Sequence, residues 1–362
     1  MTRIALITEI ISPYRIPVFN ALNSAVDGGL HVIFLSETEG RRSWPVYRDE
    51  MEFSFEVLGG LRFGIPYYGD SIPLYLSRPV ASRLRRGGFD AVLVGGWNHI
   101  SCYEALAWCK LRNKKFALWS ETPLLGPSPS RPLRTIFKRA VVSRADGFAV
   151  PGVSAGRYLS LLGAAPERIH VAPNAVDNTF WSAVPPGLPK RERLTLLYVG
   201  RLVSAKGIDL ALAAFAGSQL AGKADFLIAG DGPFRAALER LAGPDVRFLG
   251  SQNRDELRVL YHSVDMLVLP TLRDVWGLVL NEAACARVAA IVSDAAGAAH
   301  DMIRDGESGV VVEVGSVNAL RSAFDRVAGD PSLPRRLGNA ANELMKVYTP
   351  EACAAGLLAS VT

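Results

Sequence analysis

Leu194-Thr195-Leu196-Leu197-Tyr198-Val199 runs directly into Gly200-Arg201-Leu202-Val203-Ser204-Ala205-Lys206-Gly207, and this junction decides the fold. Six residues of nearly unbroken apolar character fit a strand covered on both faces, as strands of parallel sheets are. Gly200 ends that strand, and a helix is predicted from about Ile208. Strand, turn and helix in this order make the repeating unit of an open parallel sheet. Ligands of such sheets bind beyond the carboxyl ends of the strands. The loop holding Arg201 and Lys206 is therefore the first place to look for chemistry. Two cations beside a helix start, where backbone amides point outward, make an anion site, and phosphate is its natural occupant. A solvated turn is the alternative reading, and the G-x-x-x-x-G-K spacing of a Walker loop is absent.

The same alternation extends outward in both directions. Toward the N-terminus, Ile4 to Thr8, Leu30 to Leu35, Ala91 to Gly95, Phe116 to Ser120 and Gly147 to Val150 read as buried strands. Between them lie helical stretches such as Pro17 to Asn23, Ser101 to Arg112 and Leu133 to Ser143. In the last, Leu133, Ile136, Phe137, Ala140 and Val141 follow helical spacing. Trp181 to Glu192, with Pro185, Pro186 and Pro189, reads as a linker. Beyond it, strands are predicted at Leu194 to Val199, Phe226 to Ala229, Val246 to Leu249, Met266 to Leu269 and Ala289 to Ser293. The pattern thus restarts after the linker, which predicts two α/β domains.

Composition agrees with that size. The chain has 362 residues, 49% hydrophobic and 21% charged, enough to bury two ordinary cores. Its longest apolar runs break well before the roughly 18 residues needed to cross a bilayer. Glu9 interrupts the first run, and no signal-peptide layout precedes it. A cytoplasmic protein is expected. The net charge of +5 gathers partly in Arg83-Leu84-Arg85-Arg86 and in Arg131 to Arg144. These runs read either as solvated helix faces or as a surface that meets an anionic acceptor or anionic lipid at the inner membrane face. No basic stripe with interleaved aromatics points to nucleic acid. Cys102, Cys109, Cys285 and Cys353 form no C-x-x-C pair, the five histidines form no H-x-H, and no D-x-D exists. No metal site and no resident cofactor are therefore expected.

Two further segments carry candidate chemistry. Ala229-Gly230-Asp231-Gly232-Pro233 follows the strand Phe226 to Ala229, and its glycines would let backbone approach a ligand closely. An ordinary strand-to-helix turn is the alternative. Arg235 stands where a dinucleotide-binding G-x-G-x-x-G needs its last glycine, and the first strand runs into Glu9-Ile10-Ile11-Ser12-Pro13-Tyr14 with no glycine at all. Both observations count against a nicotinamide or flavin dehydrogenase. The other segment is Pro270-Thr271-Leu272-Arg273-Asp274-Val275-Trp276-Gly277-Leu278-Val279-Leu280-Asn281-Glu282-Ala283. Asp274 falls in a loop and Glu282, eight positions on, in the next helix. Two carboxylates in one place suit a polyhydroxylated ligand, because each accepts hydrogen bonds from hydroxyls.

Together these segments resemble the retaining glycosyltransferases of family 4, whose pattern runs G-R-L-x-x-x-K-G, A-G-D-G-P, a strand ending F-L-G, and P-S-x-x-E-x-F-G-L-x-x-x-E-A. The third element is Val246-Arg247-Phe248-Leu249-Gly250 here. The likeness covers about residues 145–325. The opening Ser12 to Asn20 is similar, less closely, to a subset that builds surface polysaccharides. The resemblance implies the GT-B fold, two Rossmann-like domains facing across a cleft. The acceptor-side domain would span 1–183, with a C-terminal helix near 347–362 crossing back to it. The nucleotide-sugar domain would span 190–345. It implies that Arg201 and Lys206, beside Gly200, hold the donor diphosphate without an obligatory metal. Gly230 and Asp231 would lie on the donor side, Arg247, Phe248 and Leu249 would frame the base, and Gly277, Leu278 and Val279 would offer backbone to phosphate and sugar. Asp274 would contact the transferred sugar and Glu282 the ribose. Pro13, Tyr14, Arg15 and His99 would face a saccharide or lipid-linked acceptor, with His99 or Glu121 assisting the reaction.

Three departures stand out: Asp274 for the usual glutamate, Trp276 for phenylalanine, and Ser12-Pro13-Tyr14-Arg15 for a glycine-rich loop. The activity implied is retaining transfer of a sugar from a nucleoside diphosphate. A nucleotide-sugar epimerase of the same fold and a catalytically silent glycan- or partner-binding protein are the rival readings.

Overall fold

The computed structural model describes residues 2–38, 45–67, 70–124, 132–189 and 191–362. The chain divides into two compact units. One comprises Met1–Pro66, Ser71–Val176 and Thr349–Thr362, the other Tyr67–Asp70 and Asp177–Tyr348.

In the first unit, strands β1 (Ile4–Ile10), β2 (Leu30–Ser36) and β3 (Ser54–Val57) are followed by a hairpin, β4 (Gly60–Tyr67) and β5 (Asp70–Ser77). Next come β6 (Ala91–Gly95), β7 (Lys115–Trp119), β8 (Gly147–Val150) and β9 (Ile169–Val171). Helices α1 (Ile16–Ala25), α2 (Ala81–Gly87), α3 (Ile100–Arg112), α4 (Pro132–Arg144) and α5 (Val153–Leu161) connect them. Among the described residues, seven strands make one parallel sheet in the order β3-β2-β1-β6-β7-β8-β9. Side chains alternate across it. Ile4 and Leu6 of β1 join Leu93, Ala117 and Ala149 in one core, while Ala5 and Ile7 join Val92, Val94, Leu118 and Phe148 in the other. Two covered faces explain why these strands read as apolar runs.

The second unit holds α6 (Asn178–Ser182), then β10 (Leu194–Val199), α7 (Ile208–Ala216), β11 (Ala224–Ala229), α8 (Arg235–Leu241), β12 (Val246–Gly250), α9 (Arg254–Tyr261) and β13 (Met266–Leu269). It continues with α10 (Val279–Cys285), β14 (Ala289–Ser293), α11 (Ala299–Met302), β15 (Gly309–Val312), α12 (Val317–Gly329) and α13 (Leu333–Leu344). Its parallel sheet runs β12-β11-β10-β13-β14-β15 among the described residues.

In both sheets the strand order reverses beside the first strand, at β1/β6 and at β10/β13. A reversal splits neighbouring crossovers to opposite faces and leaves a crevice at the carboxyl ends of those strands. Residues 12–15 and 96–99 stand at the first reversal, and residues 200–207 and 270–277 at the second.

Two features depart from the sequence reading. Trp181, expected to open a linker, lies in α6 at 6% exposure with its ring against Tyr261, centroids 5.6 Å apart. Apolar contact overrides the weak loop signal of the prolines that follow. The strands β3, β4, β5, β9 and β15 were not foreseen, being short or broken by proline and glycine. Arg131, at the start of the basic run, lies outside the described residues. No helix among the described residues is long and apolar enough to cross a membrane.

The last helix, α14 (Pro350–Ala359), belongs to the first unit and packs on α1. Thr349 caps it by accepting from the Ala352 N–H at 3.2 Å, and Pro350 fills its first position. Cys353, Ala354 and Leu357 enter the core beside Val18, Phe19 and Leu22. Gly356 lies so near β9 that a Cβ there would fall 2.1 Å from the Val171 carbonyl oxygen. Helix propensity alone makes Gly356→Ala stabilising by about 1 kcal/mol. The packing reverses the sign, because backbone must shift, at about 1–3 kcal/mol for an overpacked site. Urea denaturation should therefore show Gly356→Ala less stable than wild type; a more stable variant would mean that α14 does not seat against β9.

Candidate functional site

Four loops at the carboxyl edge of the second sheet are laced together by their own backbones. The loop after β10 bonds to the loop after β11 through Leu202 N–H to Asp231 O at 2.9 Å and Phe234 N–H to Leu202 O at 3.0 Å. It bonds to the loop after β13 through Leu272 N–H to Ala205 O at 2.9 Å. That third loop meets the one after β14 through Asp274 N–H to Ala295 O and Gly297 N–H to Asp274 O, both 3.2 Å. The Thr271 hydroxyl also reaches Ala205 O, and the Ser293 hydroxyl reaches Thr271 O. Gly230 is glycine because of this lacing. Its φ is 145°, and a Cβ would lie 1.8 Å from the Gly200 carbonyl oxygen. The close approach expected toward a ligand is here an approach of loop to loop.

On this rigid edge the candidate side chains fall into place. Lys206 donates to the Asp274 carboxylate, so the cation of the first segment and the first carboxylate of the third form an ion pair. Arg201 sits between strand and turn, its carbonyl taking the Tyr198 hydroxyl at 3.0 Å. Burial raises the Tyr198 pKa, and the nearby Asp274 charge adds to the effect, so this phenol stays a neutral donor. Gly277 turns the chain at φ 97°, and Leu278 and Val279 open α10 half-buried. One turn on, Glu282 accepts from the Tyr261 hydroxyl at 2.8 Å. Burial pushes the Glu282 carboxyl up to about 7, against the opposing pull of that bond. Trp276 is only 4% exposed, and its indole N–H donates to Asn281 Oδ1 at 3.0 Å. The larger ring is accommodated because its added polar atom has a buried partner.

Other donor-side candidates lie apart from this group. The Asp231 carboxylate closes its own turn, accepting from Gly232 N–H at 2.7 Å and from Arg235 at 3.3 Å. Arg247 is exposed on β12, an outer strand, while Phe248 and Leu249 beside it are half-buried.

The first unit carries a second polar cluster at its own reversal. Arg15, in the turn Pro13–Arg15, forms an ion pair with Glu121, which lies just beyond β7. It also donates to Asn174 Oδ1 at 3.1 Å and lies over the Trp119 ring, 4.0 Å from its centroid. Tyr14 is a further neighbour at 5.5 Å. Burial pulls the Arg15 pKa down, but Glu121 and Tyr14 outweigh it and leave it raised, so the guanidinium is firmly charged. His99, beyond the neighbouring strand β6, is 1% exposed. Its Nε2 faces the Gly95 carbonyl at 3.2 Å. A carbonyl only accepts, so Nε2 carries the proton and Nδ1 presents a lone pair. Burial lowers its pKa to about 4, which keeps the ring neutral. His99 Nδ1, Trp119 Nε1 and Ser120 Oγ, at the ends of adjacent strands β6 and β7, are buried without a partner among the described residues.

Tyr198, Tyr261, Asn174 and Asn281 escaped the sequence reading. Tyr261 and Glu282 are 21 positions apart on different helices, and no spacing signal joins them.

Residues 183–344 match the family described as Glycosyl transferases group 1. D-inositol 3-phosphate glycosyltransferase of Mycobacterium tuberculosis is 31% identical over 220 residues, which cover 56% of this chain and 45% of the relative. The chain thus spans about half the length of the curated relatives it matches. Among solved structures, Anabaena HepE in complex with UDP and glucose superposes with a TM-score of 0.77 at 14% identity, covering 99% of this chain and 98% of the other. Sucrose-phosphate synthase from Thermosynechococcus elongatus gives 0.73 at 19% identity, covering 98% and 97%. The fold is GT-B, with two Rossmann-like α/β domains.

Glu282 gives the site a pH signature. Its carboxyl protonates near pH 7 in the folded chain, against an ordinary value of 4.5. Between these values the folded state holds more protons than the unfolded state, so stability falls as pH rises from about 4.5 to about 7. Glu282→Gln carries no such ionisation. In denaturant titrations from pH 4.5 to 8, the stability of Glu282→Gln relative to wild type should climb by about 1–3 kcal/mol. A constant difference across that range would mean that the carboxyl ionises as it does in water.

Proposed function

We propose that this protein is a retaining glycosyltransferase that moves a sugar, of the hexose class, from a nucleoside-diphosphate sugar to a saccharide or lipid-linked acceptor. The observation that carries the reading is the Lys206–Asp274 ion pair on a laced loop edge that also carries Arg201, with Glu282 on the helix that follows, at the strand reversal of a stretch that matches the glycosyl transferase group 1 family. The named activity of the mycobacterial relative and the UDP and glucose in the Anabaena structure support it.

The chemistry follows from the residues. As the sugar leaves, negative charge grows on the diphosphate, and groups already aimed at it lower the barrier most. Arg201 suits a bidentate grip on phosphate oxygens, and Lys206 supplies a movable point charge. Asp274 accepts hydroxyls of the transferred sugar and Glu282 those of the ribose. The departing phosphate takes the acceptor proton, so no strong protein base is needed. On the first unit, the lone pair of His99 Nδ1 accepts a ligand hydroxyl, while Trp119 Nε1 and Ser120 Oγ supply further unused contacts. The acceptor binds there, near Pro13, Tyr14 and Arg15.

Two cations can do the work of a divalent ion against a diphosphate, so the reaction proceeds without an obligatory metal. Lys206→Ala should lower turnover by about 100- to 1000-fold, the usual cost of removing a donor from a site of developing charge. Wild-type activity should persist in EDTA. The check is transfer of radiolabelled sugar with EDTA and with magnesium; loss in EDTA with rescue by magnesium would replace this account with a metal-bound diphosphate.

A lipid-linked acceptor at the cytoplasmic membrane face, in the assembly of a surface polysaccharide, fits the surface of the first unit. Ile136 and Phe137 are 62% and 52% exposed on α4, the latter edge-on to Tyr103, with exposed Arg139 and Arg144 on the same helix. Apolar rings flanked by cations suit an anionic interface. Flotation with phosphatidylglycerol liposomes at low salt should recruit the protein, and Phe137→Ser should weaken recruitment. Failure of the wild type to float would remove the membrane from this reading.

A further inference from the structure

In the ligand-free chain, the two side chains assigned to opposite ends of the scissile bond hold each other. Lys206 donates to Asp274 across the reversal between β10 and β13, and the two side chains are only 22% and 20% exposed. The Tyr198 phenol, which feels the Asp274 charge, cannot relieve that carboxylate, since it spends its proton on the Arg201 carbonyl. Opening a half-buried ion pair from one side strands the other charge, and that is costly. Ligands differ in what they return. An intact nucleoside-diphosphate sugar brings phosphate oxygens for the ammonium and hydroxyls for the carboxylate. A bare nucleoside diphosphate brings only the first. It draws Lys206 away and leaves Asp274 without its cation, beside newly added negative charge.

Resting on the donor reading above, we propose that the Lys206–Asp274 ion pair makes this site reject the bare nucleoside diphosphate in favour of the intact sugar donor. Departure of the sugar then itself loosens the hold on the leaving product, because Asp274 reclaims Lys206 once its hydroxyl partners are gone. Asp274 is thus a specificity residue as well as a sugar contact.

Calorimetric titration of wild type, Asp274→Asn, Lys206→Met and the double variant with UDP and with UDP-glucose tests this. Asp274→Asn should bind UDP about 3- to 10-fold more tightly than wild type, the scale on which a partly exposed ion pair competes. It should not bind UDP-glucose more tightly. In the Lys206→Met background the same change should give no gain, since the released ammonium is the source of it. Asp274→Ala, which also frees Lys206, should repeat the UDP result if the asparagine variant folds poorly. Three outcomes overturn the proposal: UDP affinity unchanged in both Asp274 variants, an equal gain for UDP and UDP-glucose, or a gain that survives without Lys206. The last would reduce the effect to the general field of one lost negative charge. Wild type that binds none of UDP-glucose, GDP-glucose and ADP-glucose would instead overturn the donor reading itself. If GDP or ADP binds in place of UDP, the same comparison is made with that nucleotide and its glucose ester.

Discussion

The second unit depends on one constraint: the carbonyl of Gly200 occupies the space where residue 230 would otherwise carry a side chain. That contact lets the loops after β10 and β11 lie against each other and exchange hydrogen bonds through Leu202, Asp231 and Phe234. The loop after β13 then joins through Ala205 and Leu272, and the loop after β14 through Asp274 and Ala295. Each loop alone would be a mobile turn. Bonded to its neighbours, it fixes backbone to within a hydrogen-bond length, which is what a site for developing charge requires. Arg201, Lys206 and Asp274 all hang from this layer. Their positions are consequences of backbone packing before they are consequences of charge.

Charge then differentiates the two units. At the reversal in the second sheet, a cation and a carboxylate neutralise each other. Glu282, close by in sequence, is held in a drier place where, among the described residues, Tyr261 bonds to its carboxyl, and it yields its proton reluctantly. At the reversal in the first sheet, Arg15 is held by Glu121, Asn174 and the face of Trp119 together. A guanidinium gripped from three sides positions its neighbours more readily than it leaves them. His99 is the complement of both, neutral and with one nitrogen fixed as a donor to Gly95. Its other ring nitrogen, Nδ1, is buried without a hydrogen-bond partner among the described residues.

Both parallel sheets were legible in the sequence because strands covered on two faces must be apolar throughout, and glycines and prolines punctuate what lies between. The residues just past Val199 and Leu269 were legible as site candidates for the same reason, since a parallel strand has one functional end. What one dimension could not show is adjacency between loops. Gly230 and Asp231 read as a ligand-facing pair, yet the first accommodates Gly200 and the second closes its own turn. Short edge strands such as β9 and β15 and the buried Trp181 were invisible, because three or four residues carry too little period to outweigh neighbouring turn signals.

The sequence by itself determined the alternation of elements, the chemical types at the strand ends and the eight-residue interval between Asp274 and Glu282. Only the tertiary structure decided that Lys206 faces Asp274 across 68 positions, that Tyr261 and not a cation meets Glu282, and that Arg15 meets Glu121 across 106. The reason is physical. Local pattern follows from which faces of a strand or helix must leave water, and each residue declares that alone. A pairing between distant side chains depends on strand order, and strand order is settled by how whole layers pack.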